Sequence, residues 1–303
     1  MRHRSRPKGQ KWSYLRRLRP FVPTSAASST HAGRRLLSTQ PNLCERSTES
    51  WRPPLNKPPI GRVGRTTAAV RRGLDLPAAS IWRHLASELR VAEGTVLDVG
   101  CGAQPYRPLL PRGVRYMGID TERAEEDFGY AIPDTTYFKG DEWPVESASI
   151  DVVLCTETLE HVLEPPKLLA EAHRSLRPGG RLLMTVPFAA RWHFVPCDYW
   201  RFTPSGLQYL LQRSDFTNIA VFARGNAGTV AAYKVMALFL PLLLPQSRGL
   251  TRQFVRLLAL LSIPIVLLAA LIGRLTLLGR GGDDCLGYTV VAERAADSGP
   301  PAH

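Results

Sequence analysis

The sequence predicts an α/β fold built on a mostly parallel sheet with helices on both faces. Three observations carry that reading. From about residue 67, short apolar runs alternate with stretches of helical period. The first strong apolar run ends in Gly100-Cys101-Gly102, a loop able to turn sharply where a ligand would sit. Arg177-Pro178-Gly179-Gly180 is a strong turn that stops a helix and opens the next apolar run.

Taken in order, a helix is expected over 78–90, with Pro77 at its start. Strands are expected at 95–99, 116–119, 150–155, 181–186 and 219–222, with a further one leading into Phe138 and a last at 286–292. Helices are expected at 166–176, after a Pro-Pro pair, and at 204–213.

Residues 1–66 differ in texture. They are rich in Arg, Ser and Pro, keep no helix or strand period, and are expected to form a disordered basic arm. Arg34-Arg35-Leu36-Leu37-Ser38 also has the look of an organelle presequence, while no secretory leader is expected. The formal net charge of +13 belongs to this part of the chain. Residues 1–74 hold 17 Lys/Arg against Glu45 and Glu49, and the remaining body is close to neutral. A basic face for nucleic acid is therefore not expected on the folded body. Cys44, Cys101, Cys155, Cys197 and Cys285 are odd in number and scattered, so neither a disulfide framework nor a cysteine metal site is expected, and the metal assignment is none. A reducing, cytoplasmic compartment is the simpler expectation.

The candidate cofactor loop is Asp98-Val99-Gly100-Cys101-Gly102. A dinucleotide fingerprint wants a third small residue where this chain has Pro105, and the carboxylate of Asp98 would repel a pyrophosphate. A cofactor carrying a sulfonium and an ammonium, S-adenosyl-L-methionine, would instead be attracted. Asp120, at the end of the second strand, is placed to accept ribose hydroxyls. Of the neighbours Asp141 and Glu142, Asp141 is the choice for the adenine amino group.

Four segments then carry a family resemblance: Leu97–Gly102, Gly118-Ile119-Asp120, the run from Asp151 to Val162, and Leu176–Gly180. In this order and spacing over roughly residues 80–225 they resemble the class I S-adenosylmethionine-dependent methyltransferases of the type 11 group. The resemblance implies a Rossmann-like seven-stranded sheet whose last strand is antiparallel, within a domain spanning 67–303. It also implies that backbone around Thr156 meets the methionine end of the cofactor.

Methyl transfer needs an aligned nucleophile and, for a hydroxyl, a nearby base. His161, expected to begin the helix after the fourth strand, and His193, in the loop 188–201, are the candidates. His161 can equally be a structural histidine. Asp198 or Arg201 is the candidate to orient His193 or bind a substrate acid, and Trp200 with Phe202 can instead close the core.

Residues 229–280 form a hydrophobic helical insertion before the last strand. Leu257 to Gly273 is 17 residues without a charge, spanning about 26 Å against a bilayer core of about 30 Å. A crossing would strand the last strand or translocate Arg248, Arg252 and Arg256. A helical pair lying on the cytoplasmic leaflet is expected, with a dimer interface or lid as alternatives. The expected acceptor is a small molecule or a lipid-linked one, and the oligomeric state is not legible. A cofactor-binding or scaffold protein without turnover is the rival reading.

Overall fold

The computed structural model describes residues 73–124, 132–245 and 250–296, together with Thr48, Glu49, Trp51, Arg52, Arg62, Thr66 and Arg71. Most of the basic arm, including the presequence-like segment, lies outside the described residues, as does Arg248.

Chain order runs α1 (Leu76–Leu89), β1 (Thr95–Val99), β2 (Arg115–Thr121), β3 (Thr135–Phe138), β4 (Ile150–Thr156), α2 (Pro165–Ser175), β5 (Leu176–Pro187), α3 (Pro204–Arg213), β6 (Phe216–Arg224), α4 (Ala227–Leu243), α5 (Leu250–Leu260), α6 (Ile263–Thr276) and β7 (Gly287–Arg294). The seven strands form one sheet in the order β3-β2-β1-β4-β5-β7-β6. β7 runs antiparallel to both β5 and β6, and the pairs among β1 to β5 are parallel. The order reverses between β1 and β4, which places a crevice at their carboxyl ends.

Strand alternation distributes the core over two faces. Leu97, Val153, Leu182 and Met184 are buried against Leu168, Leu169 and Ala172 of α2 and Leu207 and Leu211 of α3. Val96, Val152, Leu154 and Leu183 face the other way, onto Ile81, Leu85 and Leu89 of α1. Asp75 caps α1 through a hydrogen bond from the Ala78 N–H, with Pro77 in its first turn.

Two local expectations change. Arg177–Gly180 is an irregularity within the β4–β5 pairing. Leu176 pairs with Ile150 and Arg181 with Val152, so four residues loop out between them, with Gly179 at φ +77°. The uncharged run from Leu257 to Gly273 is not one element. It breaks at Leu261 and Ser262, because Pro264 in the first turn of α6 cannot continue a preceding helix, and the insertion becomes three helices rather than a pair.

α4 and α6 pack on each other and on Leu76 of α1 through Val230, Met236, Val266 and Ala270. The outer surface of the three helices and of the α5–α6 turn stays apolar: Leu238, Leu257, Leu261, Leu268, Leu271 and Leu275 are exposed. No helix among the described residues is long and apolar enough to cross a membrane.

Candidate active site

The loop after β1 is shaped by its glycines. Gly100 has φ +67°, and a Cβ there would lie 2.5 Å from Thr158 Oγ1. The bare backbone thus lets the start of the β4 loop close against β1, where Thr158 Oγ1 donates to the Thr156 carbonyl at 3.0 Å. Gly102 has φ +49° and nothing within 4 Å of its Cβ position, so space is left open above the loop. Its N–H donates to Asp120 Oδ2 at 2.9 Å, and the Thr121 N–H donates to Oδ1 at 2.8 Å. Asp120 therefore bridges the ends of β1 and β2.

Asp98 is 1% exposed. Oδ2 accepts from the Tyr116 hydroxyl at 2.7 Å, while Oδ1 has no hydrogen-bond partner. Burial raises its pKa to about 7 against the Tyr116 hydrogen bond, and the Asp120 charge adds to the rise. A buried carboxylate oxygen left without a donor is uncommon and suits a cationic ligand. Asp98, Gly100, Gly102, Asp120 and Thr156 are thus brought together at the carboxyl ends of β1, β2 and β4. Asp141 is not drawn into this group: it is exposed and paired with Lys167 of α2 at 3.0 Å.

On the side where the sequence reading expects the acceptor, two segments are clasped together. His161 does not begin a helix. It closes a 3₁₀ turn, Leu159–His161, and α2 starts only at Pro165. The backbone N–H of Tyr199 donates to the Glu160 carbonyl at 2.8 Å, and Trp200 Nε1 donates to the Val162 carbonyl at 2.9 Å, which docks the loop after β5 onto this turn. The two imidazoles then meet edge to face, 5.0 Å between centroids.

Both residues considered as the orienter of His193 reach its ring: Nδ1 lies 2.9 Å from Asp198 Oδ2 and 3.4 Å from an Arg201 terminal nitrogen, with the Arg191 carbonyl oxygen at 3.1 Å. Arg201 grips the Asp198 carboxylate through both terminal nitrogens, at 2.6 and 2.7 Å. Burial works to raise the Asp198 pKa, but these hydrogen bonds hold it well below the usual range. His161 Nδ1 lies 2.6 Å from the Cys197 carbonyl oxygen, and burial lowers its pKa. Phe202 is buried in the core, whereas Trp200 is exposed.

Three participants had no role in the sequence reading. Glu160, 0% exposed, carries both carboxylate oxygens without a hydrogen-bond partner. Burial, then the Glu157 charge, raises its pKa well above the usual value. Glu49, from the stretch assigned to the basic arm, accepts from the Phe194 N–H at 2.8 Å and pairs with Arg191 at 2.6 Å. Tyr116 is the hydroxyl donor to Asp98. Glu160 sits inside a quoted motif and could have been found by its neighbour His161; nothing in the sequence marks Glu49.

A separate hollow of about 470 Å³ opens at the amino-terminal ends of the strands, beside Gly94, Asp151 and Arg177. Of its two acids, Glu93 and Asp151, the latter is structural: Asp151 accepts from the Thr95 N–H at 2.6 Å and pairs with Arg177 at 2.8 Å.

Residues 74–222 match the family described as "Methyltransferase domain". This part of the chain is a class I methyltransferase domain. The chain is 35% identical over 115 residues to an uncharacterized 37.1 kDa transposon protein of Streptomyces fradiae, covering 35% of this chain and 32% of that one. It is 32% identical over 106 residues to a ubiquinone biosynthesis O-methyltransferase of Pseudomonas paraeruginosa, covering 32% and 45%. The chain spans less than half the length of these curated relatives. Among solved structures, a SAM-dependent methyltransferase of Archaeoglobus fulgidus is similar at 14% identity and TM-score 0.45, covering 75% of this chain and 99% of that one.

Proposed function

We propose that this chain is an S-adenosylmethionine-dependent methyltransferase acting on a small-molecule or lipid-linked acceptor. The observation that carries the reading is Asp98, a buried carboxylate with one unpartnered oxygen beside the open cradle at Gly102. Asp98, Gly100, Gly102, Asp120 and the backbone near Thr156 would hold the cofactor, which supplies a methyl group on a cationic sulfur. Asp141 would take part only after releasing Lys167.

The chain's own contribution is positioning and proton handling. His193, oriented by Asp198, is the base nearest the acceptor side, and His161 stands against it. Calorimetry with S-adenosylmethionine and NAD tests the cofactor: binding of the former alone is expected, and preferential binding of NAD would overturn the reading. His193→Ala should abolish turnover with cofactor affinity near normal. Unchanged turnover would remove His193 from the chemistry, and cofactor binding with no turnover on any acceptor would favour a scaffold.

The exposed leucines of α4 to α6 support contact of 229–280 with a cytoplasmic membrane surface, and with it an isoprenoid or other lipid-linked acceptor. Arg256 is exposed on this side. A relative named for ubiquinone biosynthesis is consistent with such an acceptor. Fractionation tests the contact: protein wholly in the soluble fraction at low salt would overturn it.

A further inference from the structure

Among the described residues, one group of three His, Cys, Asp or Glu side chains converges closely enough to share an ion: Glu160, His161 and His193, with one ligand atom of each within 4.8 Å of the others. Metal–ligand bonds are about 2.0–2.2 Å long, so sub-ångström rotations would bring all three onto one cation. Glu160 is the decisive member. Its carboxylate is fully buried, neither oxygen has a hydrogen-bond partner, and the nearest cationic candidate, His161 Nε2, is 3.6 Å from Oε1. Two buried carboxylate oxygens without a donor leave their lone pairs available to a cation.

The two histidines are prepared in the same way. His161 Nδ1–H can donate to the Cys197 carbonyl and His193 Nδ1–H to the Arg191 carbonyl at 3.1 Å, with Asp198 Oδ2 2.9 Å from the same nitrogen, which leaves each Nε2 with its lone pair. A ring N–H given to a carbonyl or carboxylate is the usual support behind a ligating imidazole. Arg201 neutralises Asp198, so the outer carboxylate stays in place without competing for the ion.

We propose that Glu160, His161 and His193 form a site for a divalent transition cation at the carboxyl ends of β4 and β5, with Asp198 as a positioning residue. Two imidazoles and one carboxylate suit Zn²⁺, Co²⁺, Mn²⁺ or Fe²⁺ better than Ca²⁺ or Mg²⁺. Scattered cysteines gave no hint of it, because no ligand is a cysteine and His193 joins from a different loop. The proposal deepens the methyltransferase reading and makes His193 a ligand in place of a base: three protein ligands leave open positions, where an acceptor hydroxyl would bind, pass its proton to bulk water and become the better nucleophile.

The test is made on the full chain, stripped with chelator and free of cofactor, so that it does not depend on methyl transfer. Mn²⁺ titration followed by electron paramagnetic resonance, and Co²⁺ titration followed by visible absorption, should each give one site per chain. Glu160→Gln and His193→Ala should weaken binding at least tenfold, and Asp198→Asn by about tenfold to a hundredfold. The Co²⁺ spectrum should change in His193→Ala while the thermal unfolding midpoint of the metal-free variant matches the parent. No binding at about 1 mM cation, where even millimolar affinity would register, would overturn the proposal. So would binding that none of the three variants alters. Metal binding without S-adenosylmethionine binding would keep the cation site and remove the methyltransferase reading instead.

Discussion

The guanidinium of Arg224, 1% exposed, donates to Glu157 Oε1 at 2.7 Å and ties the end of β6 to the residue that follows β4. The same side chain donates to the Val186 carbonyl at 2.9 Å and to Ser80 Oγ of α1 at 3.1 Å. Glu157 sits at φ +48°, and its N–H donates to the Thr185 carbonyl at 2.9 Å. One arginine therefore holds α1, β5, β6 and the β4 loop in mutual register behind the site.

Glu157 is partly exposed, so removing Arg224 chiefly leaves the Val186 carbonyl and Ser80 Oγ without this donor, at about 1–3 kcal/mol for each buried group left unsatisfied. Arg224→Ala should lower the urea midpoint accordingly, and Arg224→Lys should recover only part, because an ammonium cannot span three acceptors set around a planar fork. An unchanged midpoint would show that the pair contributes nothing net.

Gly100 and Gly102 should separate stability from binding. Gly100→Ala meets both a left-handed backbone and Thr158, and should cost roughly 2–4 kcal/mol of stability. Gly102→Ala meets only the backbone term, about 1–2 kcal/mol, but fills the open space above the loop and should weaken cofactor affinity. Denaturation and calorimetry on the two variants check this; equal stability losses would contradict it.

Asp98 should make both stability and binding depend on pH. Its folded pKa of about 7 lies above the model-compound value of 3.8. Between those values the folded state keeps a proton that the unfolded state has released, so this group's stabilisation is lost as pH rises through that window. A cationic cofactor favours the carboxylate, so its affinity should rise through pH 7 with proton release. Asp98→Asn should abolish both trends, which pH-dependent unfolding and calorimetry in buffers of different ionisation enthalpy would register. Persistence of either trend in the variant would assign it to another group.

Glu49 should govern the acceptor loop from a distance in sequence. Its side chain is 4% exposed and holds Arg191, Phe194 and Arg52. Glu49→Ala should increase proteolytic nicking of the loop 188–201 and reduce turnover by about tenfold to a hundredfold, since small misplacements of this kind are costly. Cofactor affinity should hold, because Glu49 touches none of Asp98, Gly100 or Asp120. Unaltered turnover and proteolysis would make the contact incidental.

The helix at 204–213 and the strand at 95–99 agree with the sequence reading to the residue, because a Pro-led helix start and a Gly-ended strand are local signals. The insertion was less legible. Apolarity alone does not distinguish one long helix from two, and Pro264 decided the break. The convergence of Asp98, Gly100, Gly102 and Asp120 at strand ends was readable because glycines and acids there carry a local signal. The pairing of Asp141 with Lys167 was not legible, since Lys167 is 26 residues away and reaches it only through the packing of α2. Glu49 meets the loop that carries His193 across more than 140 residues of chain, and no periodicity records such a distance.

By itself, then, the sequence determined the strand–helix alternation, the glycine loop and the acids at the ends of β1 and β2, because backbone propensity and ligand-facing loops depend on near neighbours. Only the tertiary structure decided that Glu160 is buried without a partner, that His161 and His193 stand ring against ring, and that Arg224 is enclosed among four elements. Those are consequences of desolvation and convergence, which arise when segments remote in sequence close on one another and exclude water.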